Sequence, residues 1–340
     1  MESPNRGNQM QLEIFRALCT LAAEDGRREA LFGDCEPLAR EAFLRSPSGG
    51  EFPLLWFEVP LAGQPRFDLH VALSRKSLQG CTQFFPDAES NHNELFRWYV
   101  ENETGGNGLA LAYDISEGRI DDPAIHVNVN GSSLENMGRF FDLAAGEGAY
   151  ARYLGFESRL PQGWRIWYAG VHPGRPGTPV RVDCFVDEAL KSDYATDMTL
   201  FERDLRACGF TAASPALRDL AAPILRSPFR LELQFDVMGD GSLGPTVGVS
   251  AGFPFVSSDA VRRLFCDGGE GGKLMTAIEG MGLSDERWRY VPDAAFSKLV
   301  QAGDAARAFY CVPTFVKLRM RDGEPLDAKI YLQAGAPTLS

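Results

Sequence analysis

Long apolar runs are absent from this sequence. No stretch of its 340 residues approaches the roughly 18 apolar residues that a membrane-spanning helix needs. The polar start MESPNRGNQ has neither the apolar segment of a secretory signal nor a basic amphipathic presequence. With 44% hydrophobic residues the chain can still form a sizeable core. These features predict a globular protein of the cytoplasm.

Metal-binding cysteine patterns and excess basic charge are missing as well. The seven cysteines are scattered with no CxxC pair, and the chain has only four histidines, so zinc-site spacing is excluded and reduced thiols are expected. The 34 Lys and Arg are outnumbered by 46 Asp and Glu, which gives a net charge of −12. This charge repels a nucleic-acid backbone, and no stripe of basic and aromatic residues overrides it.

The common catalytic and nucleotide-binding signatures are also lacking. GxSxG does not occur in a strand-turn-helix context, and neither a Walker A nor a Rossmann fingerprint is present. The glycine-rich stretch DGGEGGK (267–273) ends in a lysine, but it lacks the spacing of a phosphate-binding loop and the strand before it. We interpret it as a loop between helices.

The sequence does contain five pairs of alternating apolar and polar runs joined by turns rich in Gly, Pro and Asp. In RLELQFDVMGDGSLGPTVGVSAG (230–252), Leu231 and Leu233 share one face of a strand, while Glu232 and Gln234 share the other. The pairs are 53–61 with 66–74, 108–116 with 124–130, 163–171 with 179–187, the two halves of 230–252, and 309–321 with 326–333. Each pair predicts a β-hairpin.

Helical periodicity fills the segments between the hairpins, as in MQLEIFRALCTLAAE and DMTLFERDLRACGF. A helical segment followed by a hairpin therefore occurs five times. Such repetition favours one closed α+β domain, and closing ten antiparallel strands into a barrel would remove the unprotected edges. The apolar strand faces would then meet helices on the outside, and the polar faces would converge on the axis.

The inward faces predicted by this alternation are chemically rich. A ten-stranded barrel is wider than one of about eight strands, whose interior side chains just fill it, so a lumen with room for ligand is expected. Besides the candidates named below, these faces carry Asn130, Phe185, Glu232, Asp236, Thr246, Gly248, Ser250, Phe315, Arg319 and Gln333. Solvated strand faces are the alternative, as in ordinary antiparallel sheets.

The order of elements resembles the ABBA or PT-barrel family of aromatic prenyltransferases, in which five helix-helix-hairpin units close a ten-stranded antiparallel barrel with helices outside. The resemblance covers nearly the whole chain and rests on element order more than on any motif. It implies a single domain, residues 1–340, whose lumen holds an isoprenyl diphosphate and an aromatic acceptor. The prenyl group would pass to the acceptor through an allyl-cation-like state, in specialised natural-product metabolism.

Individual positions can be compared with that family. Glu58 in WFEVPL matches the glutamate that orients the acceptor, and Arg66 matches an arginine that contacts diphosphate. Asp68 in RFDLHVAL resembles an aspartate that holds Mg²⁺ in a bacterial subgroup, and AKIYLQ presents Lys329 and Tyr331 as diphosphate partners. The substrate-binding candidates are Trp56, Arg66, Asn128, Arg165, Trp167, Arg181, Asp183, Arg230, Gln234, Lys317, Lys329 and Tyr331.

The sequence departs from that family in having fewer inward cations. Carboxylates such as Asp68, Asp183 and Glu232 would repel a diphosphate unless Mg²⁺ intervenes. We therefore expect a Mg²⁺-assisted enzyme with no organic cofactor, or a barrel adapted to another task. Peptide-modifying members have wide, open barrels, and the short segment after Gln333 favours such a large substrate.

Two other functions fit the same residues. The first is acid-base chemistry on a peptide or aromatic substrate without an isoprenyl donor, using His70 and His126 beside Glu58, Asp68 and Asp183. The second is a binding barrel that only recognises its ligand. The catalytic candidates are thus Glu58, His70 and His126, and the metal candidate is Asp68.

Overall fold

Alternating strands and amphipathic helices occur where the sequence predicts them. The computed structural model describes residues 6–21, 28–47, 51–78, 92–102, 108–116, 119–120, 122–129, 133–173, 177–302 and 305–337. The strands are β1 (Leu54–Pro60), β2 (Asp68–Leu73), β3 (Leu109–Tyr113), β4 (Ile115–Ser116), β5 (Arg119–Ile120), β6 (Ala124–Asn128), β7 (Trp164–Val171), β8 (Val180–Val186), β9 (Arg230–Val237), β10 (Leu243–Gly252), β11 (Phe296–Ala302), β12 (Ala305–Arg321) and β13 (Glu324–Gly335).

Helices precede or follow each hairpin. They are α1 (Arg6–Leu21), α2 (Arg28–Phe32), α3 (Glu36–Arg45), α4 (Arg75–Leu78), α5 (His92–Asn102), α6 (Leu134–Ala145), α7 (Ala149–Glu157), α8 (Glu188–Thr196), α9 (Met198–Ala207), α10 (Pro215–Arg226), α11 (Ser258–Phe265), α12 (Glu270–Gly280) and α13 (Val291–Ala294), with a 3-10 turn at Glu286–Tyr290. Because α12 begins at Glu270, four of the seven residues of the DGGEGGK stretch are helical rather than loop. In the described ranges, no helix is long and apolar enough to span a bilayer.

Ten strands form the closed antiparallel barrel that the sequence predicts. Their order around the ring is β1, β2, β3, β6, β7, β8, β9, β10, β12 and β13. Pairing of β13 with β1 and of β10 with β12 closes the ring. The β12–β13 turn has Asp322 at φ 53° and Gly323 at φ 85°, which is the left-handed backbone that a tight two-residue hairpin turn requires.

Within the described ranges, three strands lie outside this ring: β4, which is the end of the predicted strand 108–116, and β5 and β11, which were not predicted. The short strands β4 and β5 pair with each other, so the second predicted hairpin is divided by a small ribbon. Strand β12 is 17 residues long, and its first half pairs with β11, from Phe296–Cys311 to Ala302–Ala305. Its second half belongs to the barrel, so β11 extends the sheet beyond the ring.

The hydrophobic core lies between the barrel and the helices. The outward residues of β9, from Leu231 to Val237, are at most 1% exposed and belong to one continuous apolar cluster with residues of the helices. Serine caps fix several helix starts: the side chains of Ser133, Ser214 and Ser257 each accept a hydrogen bond from a backbone N–H in the first turn. This packing leaves the alternate strand faces for the lumen.

Candidate active site in the barrel lumen

Three neighbouring strands bring the predicted catalytic glutamate into a polar cluster. In the strand register, Glu58 on β1 lies opposite Asp68 on β2 and opposite Tyr331 on β13. Two residues along β1, at the next inward position, Trp56 lies opposite His70. Because inward residues alternate along each strand, these side chains share one region of the lumen.

Glu58 is buried and ion-paired. One carboxylate oxygen lies 3.1 Å from His70 Nε2, and the other lies 2.5 Å from Lys329 Nζ. The same Nζ atom is 3.2 Å from Asp68 Oδ2, while Asp68 Oδ1 accepts a 2.8 Å hydrogen bond from the Ile115 N–H. Lys329 is thus held between two buried carboxylates.

The two carboxylates of this cluster differ in proton affinity. Burial by itself would raise the pKa of Glu58, but Lys329, Lys317 and the His70 hydrogen bond outweigh burial and hold it well below the ordinary value. Burial raises the pKa of Asp68, with Lys329 opposing this shift and the Glu58 charge adding to it. Glu58 is therefore the carboxylate that stays ionised.

A second cluster joins β8, β9 and β12. Lys317 Nζ donates to Gln234 Oε1 at 3.3 Å, and Gln234 Nε2 donates to Asp183 Oδ1 at 2.7 Å. Within the described residues, no carboxylate oxygen lies within the 4.0 Å of an ion pair from Lys317 Nζ. Burial is the main reason that the pKa of Lys317 is lowered to about 8, with the positive charge of Arg181 contributing.

Three inward arginines, Arg181, Arg230 and Arg319, are each paired with a carboxylate, and two of these carboxylates, Asp236 and Glu232, are among the inward acidic residues predicted from the sequence. Arg181 binds Asp236 through two hydrogen bonds of 2.8 and 2.9 Å. Arg230 lies 2.7 Å from Glu232, and Arg319 forms a bidentate pair with Asp327. The positive and negative charges of these lumen side chains thus largely neutralise each other.

Aromatic rings line two sides of the lumen. Phe315 and Tyr331 stack with 3.9 Å between ring centroids, and Lys317 Nζ lies 4.7 Å from the Tyr331 centroid. Across the barrel Trp167 and Phe185 stack at 4.4 Å, with the Arg230 guanidinium 4.2 Å from the Phe185 centroid. These faces are suited to contact a cation or a planar ligand.

A β-bulge on β7 adds a residue to the lumen. The register with β8 shifts between Ile166 and Tyr168, so that Tyr168 lies opposite the inward residue Asp183. Trp167, immediately before it, stacks on the inward ring of Phe185. The bulge therefore turns two consecutive aromatic residues toward the lumen, whereas strict alternation places Tyr168 outside.

Three histidines form a row across β2, β6 and the end of β7. The rings of His70 and His126 are 6.5 Å apart between centroids, and those of His126 and His172 are 5.6 Å apart. Gly170 makes room for this row, because a Cβ atom there would lie 2.4 Å from His126 Nδ1. His172 directly follows the predicted strand 163–171, so alternation within that strand did not identify it.

Comparison with known proteins supports the fold. No protein-family model matches the sequence, and no curated protein matches it significantly. The crystal structure of AnaPT from Neosartorya fischeri aligns with a TM-score of 0.51 and 11% identity, over 98% of this chain and 95% of that chain. This chain has the PT-barrel fold. The 5-dimethylallyltryptophan synthase of Streptomyces coelicolor aligns with a TM-score of 0.47 and 12% identity, over 96% of this chain and 95% of that one.

The lumen of this PT barrel gathers most of the predicted site residues. Glu58, Asp68, His70, Lys329 and Tyr331 form one cluster, and the other candidates except Arg66 lie on strands of the barrel. Of the peripheral candidates, Arg66 precedes the first residue of β2, and Arg165 is exposed, with its guanidinium 5.8 Å from the Phe185 centroid. Asn130 lies outside the described residues.

The donor atoms around Asp68 do not fit a magnesium ion. One Asp68 oxygen accepts the Ile115 N–H and the other binds the Lys329 ammonium. In the part of the chain that the structure describes, no group of three His, Cys, Asp or Glu side chains could hold a metal. A cation at Asp68 would have to displace Lys329, so we derive no step through a metal at this position.

Replacing Gly170 by alanine tests whether the PT-barrel lumen depends on the histidine row. The new Cβ would overlap His126, so we expect the free energy of unfolding to fall by about 1–3 kcal/mol. Gly155→Ala in α7 is the control, because a Cβ there meets nothing within 4 Å, and we expect about 0.5–1 kcal/mol of stabilisation. Urea denaturation measures both; equal stability of Gly170→Ala and wild type would refute the contact.

Proposed function

We propose that this PT barrel transfers an isoprenyl group from an isoprenyl diphosphate to an aromatic ring or a peptide side chain held in its lumen, in specialised metabolism. The observation that carries the proposal is the placement of one buried glutamate, Glu58, between inward lysines and a stacked aromatic wall. The fold shared with AnaPT supports it.

The cations would hold the diphosphate of the donor. Lys317 and Lys329 lie directly opposite each other on β12 and β13, and Arg319 follows on β12. Lys317 is the cation most available to bind a diphosphate, because it has no carboxylate partner among the described residues. It is also buried, at 6% exposure, so its charge is poorly screened by water. Charge and N–H donors aimed at a leaving diphosphate stabilise the charge that develops on it.

The aromatic wall would protect the isoprenyl cation. Phe315 and Tyr331 stack beside Lys317, so the allyl carbons of a donor bound at that lysine would lie against the ring faces. The negative face of an aromatic ring attracts a cation, and excluding water prevents its capture as an alcohol.

Glu58 would accept the proton that the acceptor loses. In the reaction the C–O bond to diphosphate breaks and a bond from the isoprenyl carbon to the acceptor forms. The acceptor N–H, O–H or C–H then releases its proton to the carboxylate. Glu58 is 8% exposed and already hydrogen-bonded to His70, through which the proton can leave.

A second candidate function is acid-base chemistry without an isoprenyl donor. The pairing of Arg181, Arg230, Arg319 and Lys329 with carboxylates favours it, since each cation already has a partner of opposite charge. The Glu58–His70 pair supplies the proton-transfer groups. A barrel that only binds its ligand would share the same lumen.

Titration calorimetry with dimethylallyl and geranyl diphosphate, with and without Mg²⁺, distinguishes these functions. We expect binding that weakens about tenfold or more in Lys317→Met, because a charge-assisted hydrogen bond is lost. Lys273→Met is the control, since Lys273 is an exposed lysine of α12 and the substitution changes the net charge equally. Mass spectrometry of indoles and candidate peptides incubated with the donor then detects the prenylated product.

Two results would count against prenyl transfer. The absence of donor binding in either condition removes its first step and leaves the acid-base enzyme or the binding barrel. Equal weakening in Lys317→Met and Lys273→Met would mean that the donor is held by overall charge outside the lumen.

A further inference from the structure

Lys329 is the only ammonium group among the described residues that lies within ion-pair distance of two buried lumen carboxylates. Its Nζ atom is 2.5 Å from Glu58 Oε1 and 3.2 Å from Asp68 Oδ2, and all three side chains are at most 10% exposed. An ammonium has three N–H donors. Two are directed at these carboxylates, and the third is available to a ligand.

We propose that Lys329 couples donor binding to proton acceptance: the diphosphate draws the ammonium away from Glu58, and the carboxylate left behind takes the proton of the acceptor. The inference rests on the proposed function and deepens it, because it gives the order of events. The donor must bind before Glu58 can act as a base.

Electrostatics supplies the reason for this coupling. A carboxylate paired with an ammonium holds a proton weakly, whereas a buried carboxylate without a counter-ion holds one tightly. With no donor in the barrel, Lys329 stabilises the ionised form of Glu58 and makes it a poor base. A diphosphate, which carries more negative charge than one carboxylate, competes for the ammonium and removes that stabilisation.

Other charged and titratable groups face Glu58 from β2, β12 and β13, and their effects on its charge are compatible with this coupling. On β12, Lys317 and Arg319 also favour ionised Glu58, and the diphosphate would neutralise them too. Burial and the Glu58 charge raise the pKa of Tyr331 on β13, so this group stays neutral. On β2, the negative charge of Asp68 disfavours a second one at Glu58. His70 on β2 stays within hydrogen-bond distance of Glu58 and is the group that can pass the proton onward.

The cycle balances in protons and charge. The acceptor gives one proton to Glu58 as the new bond forms, and the donor C–O bond breaks to release diphosphate. When diphosphate leaves, Lys329 returns to Glu58 and expels the proton by way of His70. The net products are the prenylated acceptor, diphosphate and one proton.

Titration calorimetry with inorganic pyrophosphate at pH 7, in buffers of different ionisation enthalpy, measures protons taken up on binding. We expect wild type to take up about 0.5–1 more protons per bound pyrophosphate than Glu58→Gln, because both proteins keep Asp68 but only wild type has the Glu58 carboxylate, whose proton affinity rises when Lys329 leaves it. Proton changes of pyrophosphate itself are common to both proteins and cancel in the difference. Asp68→Asn is the matched control and should keep the excess uptake.

A second readout needs no variant. Infrared difference spectra of wild type should show a protonated-carboxyl band that appears on addition of pyrophosphate. Equal proton uptake in wild type and Glu58→Gln would overturn the inference and leave the proposed function intact. Loss of the excess in Asp68→Asn would also overturn it, by placing the proton on Asp68. If wild type does not bind pyrophosphate, both the inference and the proposed function are wrong.

Discussion

Glu58→Gln is expected to lower kcat for prenyl transfer by about 10²–10⁴-fold, the range that one positioned proton acceptor contributes. Glutamine keeps the size of the side chain but cannot take up the proton of the acceptor. The fold should survive, because Asp68 remains as a partner for Lys329. Product formation at saturating donor and acceptor, followed by mass spectrometry, gives kcat, and thermal unfolding confirms that the barrel is intact.

Glu232→Gln is the matched control for this experiment. Glu232 is another buried lumen glutamate, 7% exposed, and it lies on β9 with Arg230 as its partner. We expect its substitution to change kcat much less than Glu58→Gln. A similar loss in both variants would mean that the negative charge of the lumen matters rather than proton acceptance at Glu58.

Lys329→Met should have the largest effect on stability, a loss of about 3–5 kcal/mol in the free energy of unfolding at pH 7. The substitution leaves Glu58 and Asp68 buried without the cation that they share. In wild type the pKa of Glu58 lies below its ordinary value, so its ion pair contributes stability above the unfolded pKa and loses it as pH falls. That contribution is present in wild type at both pH 7 and pH 5. In the variant, burial without the shared cation raises the pKa of the two carboxyl groups, so they take up protons as pH falls and the deficit should shrink from pH 7 to pH 5.

Urea denaturation at both pH values checks this, with Lys191→Met as the control. Lys191 is also buried, at 4% exposure, but its ammonium donates to the backbone carbonyls of Ser227 and Phe229. The stability lost in Lys191→Met should not decrease from pH 7 to pH 5 in the same way. If Lys329→Met loses the same free energy of unfolding at pH 7 and pH 5, the loss does not come from its unpaired carboxylates.

The barrel could be predicted from the sequence because the signals that define it are local. Alternation within each hairpin, turn residues such as Asp322-Gly323, and helical periods between hairpins all lie within a few residues of one another. Strand β11 had no such signal, since FSKLVQA does not alternate clearly and its partner is the first half of a strand that also belongs to the barrel. Because β12 pairs both with β11 and with the barrel strands, its two partners depend on how the ring closes.

The site could be predicted only in part. Alternation placed Glu58, Lys317 and Lys329 on inward faces, but it could not show which charges meet across strands that are far apart in sequence. Arg181 and Asp236, 55 residues apart, form a bidentate pair that depends on the register of β8 with β9. The repulsion expected of the lumen carboxylates is thus largely cancelled by neighbours that only the three-dimensional register identifies.

The bulge at Trp167 allows the volume of the lumen to change while the strand pairing of the barrel stays the same. Strand number and stagger normally set the width of a barrel, and changing either would rebuild every pairing. Here one extra residue in β7 projects a large ring into the lumen, while Tyr168 and the residues after it stay in register with β8. Deleting Trp167 would straighten the strand and enlarge the lumen without moving another inward side chain to the outside, so one residue is enough to make room for a larger ligand.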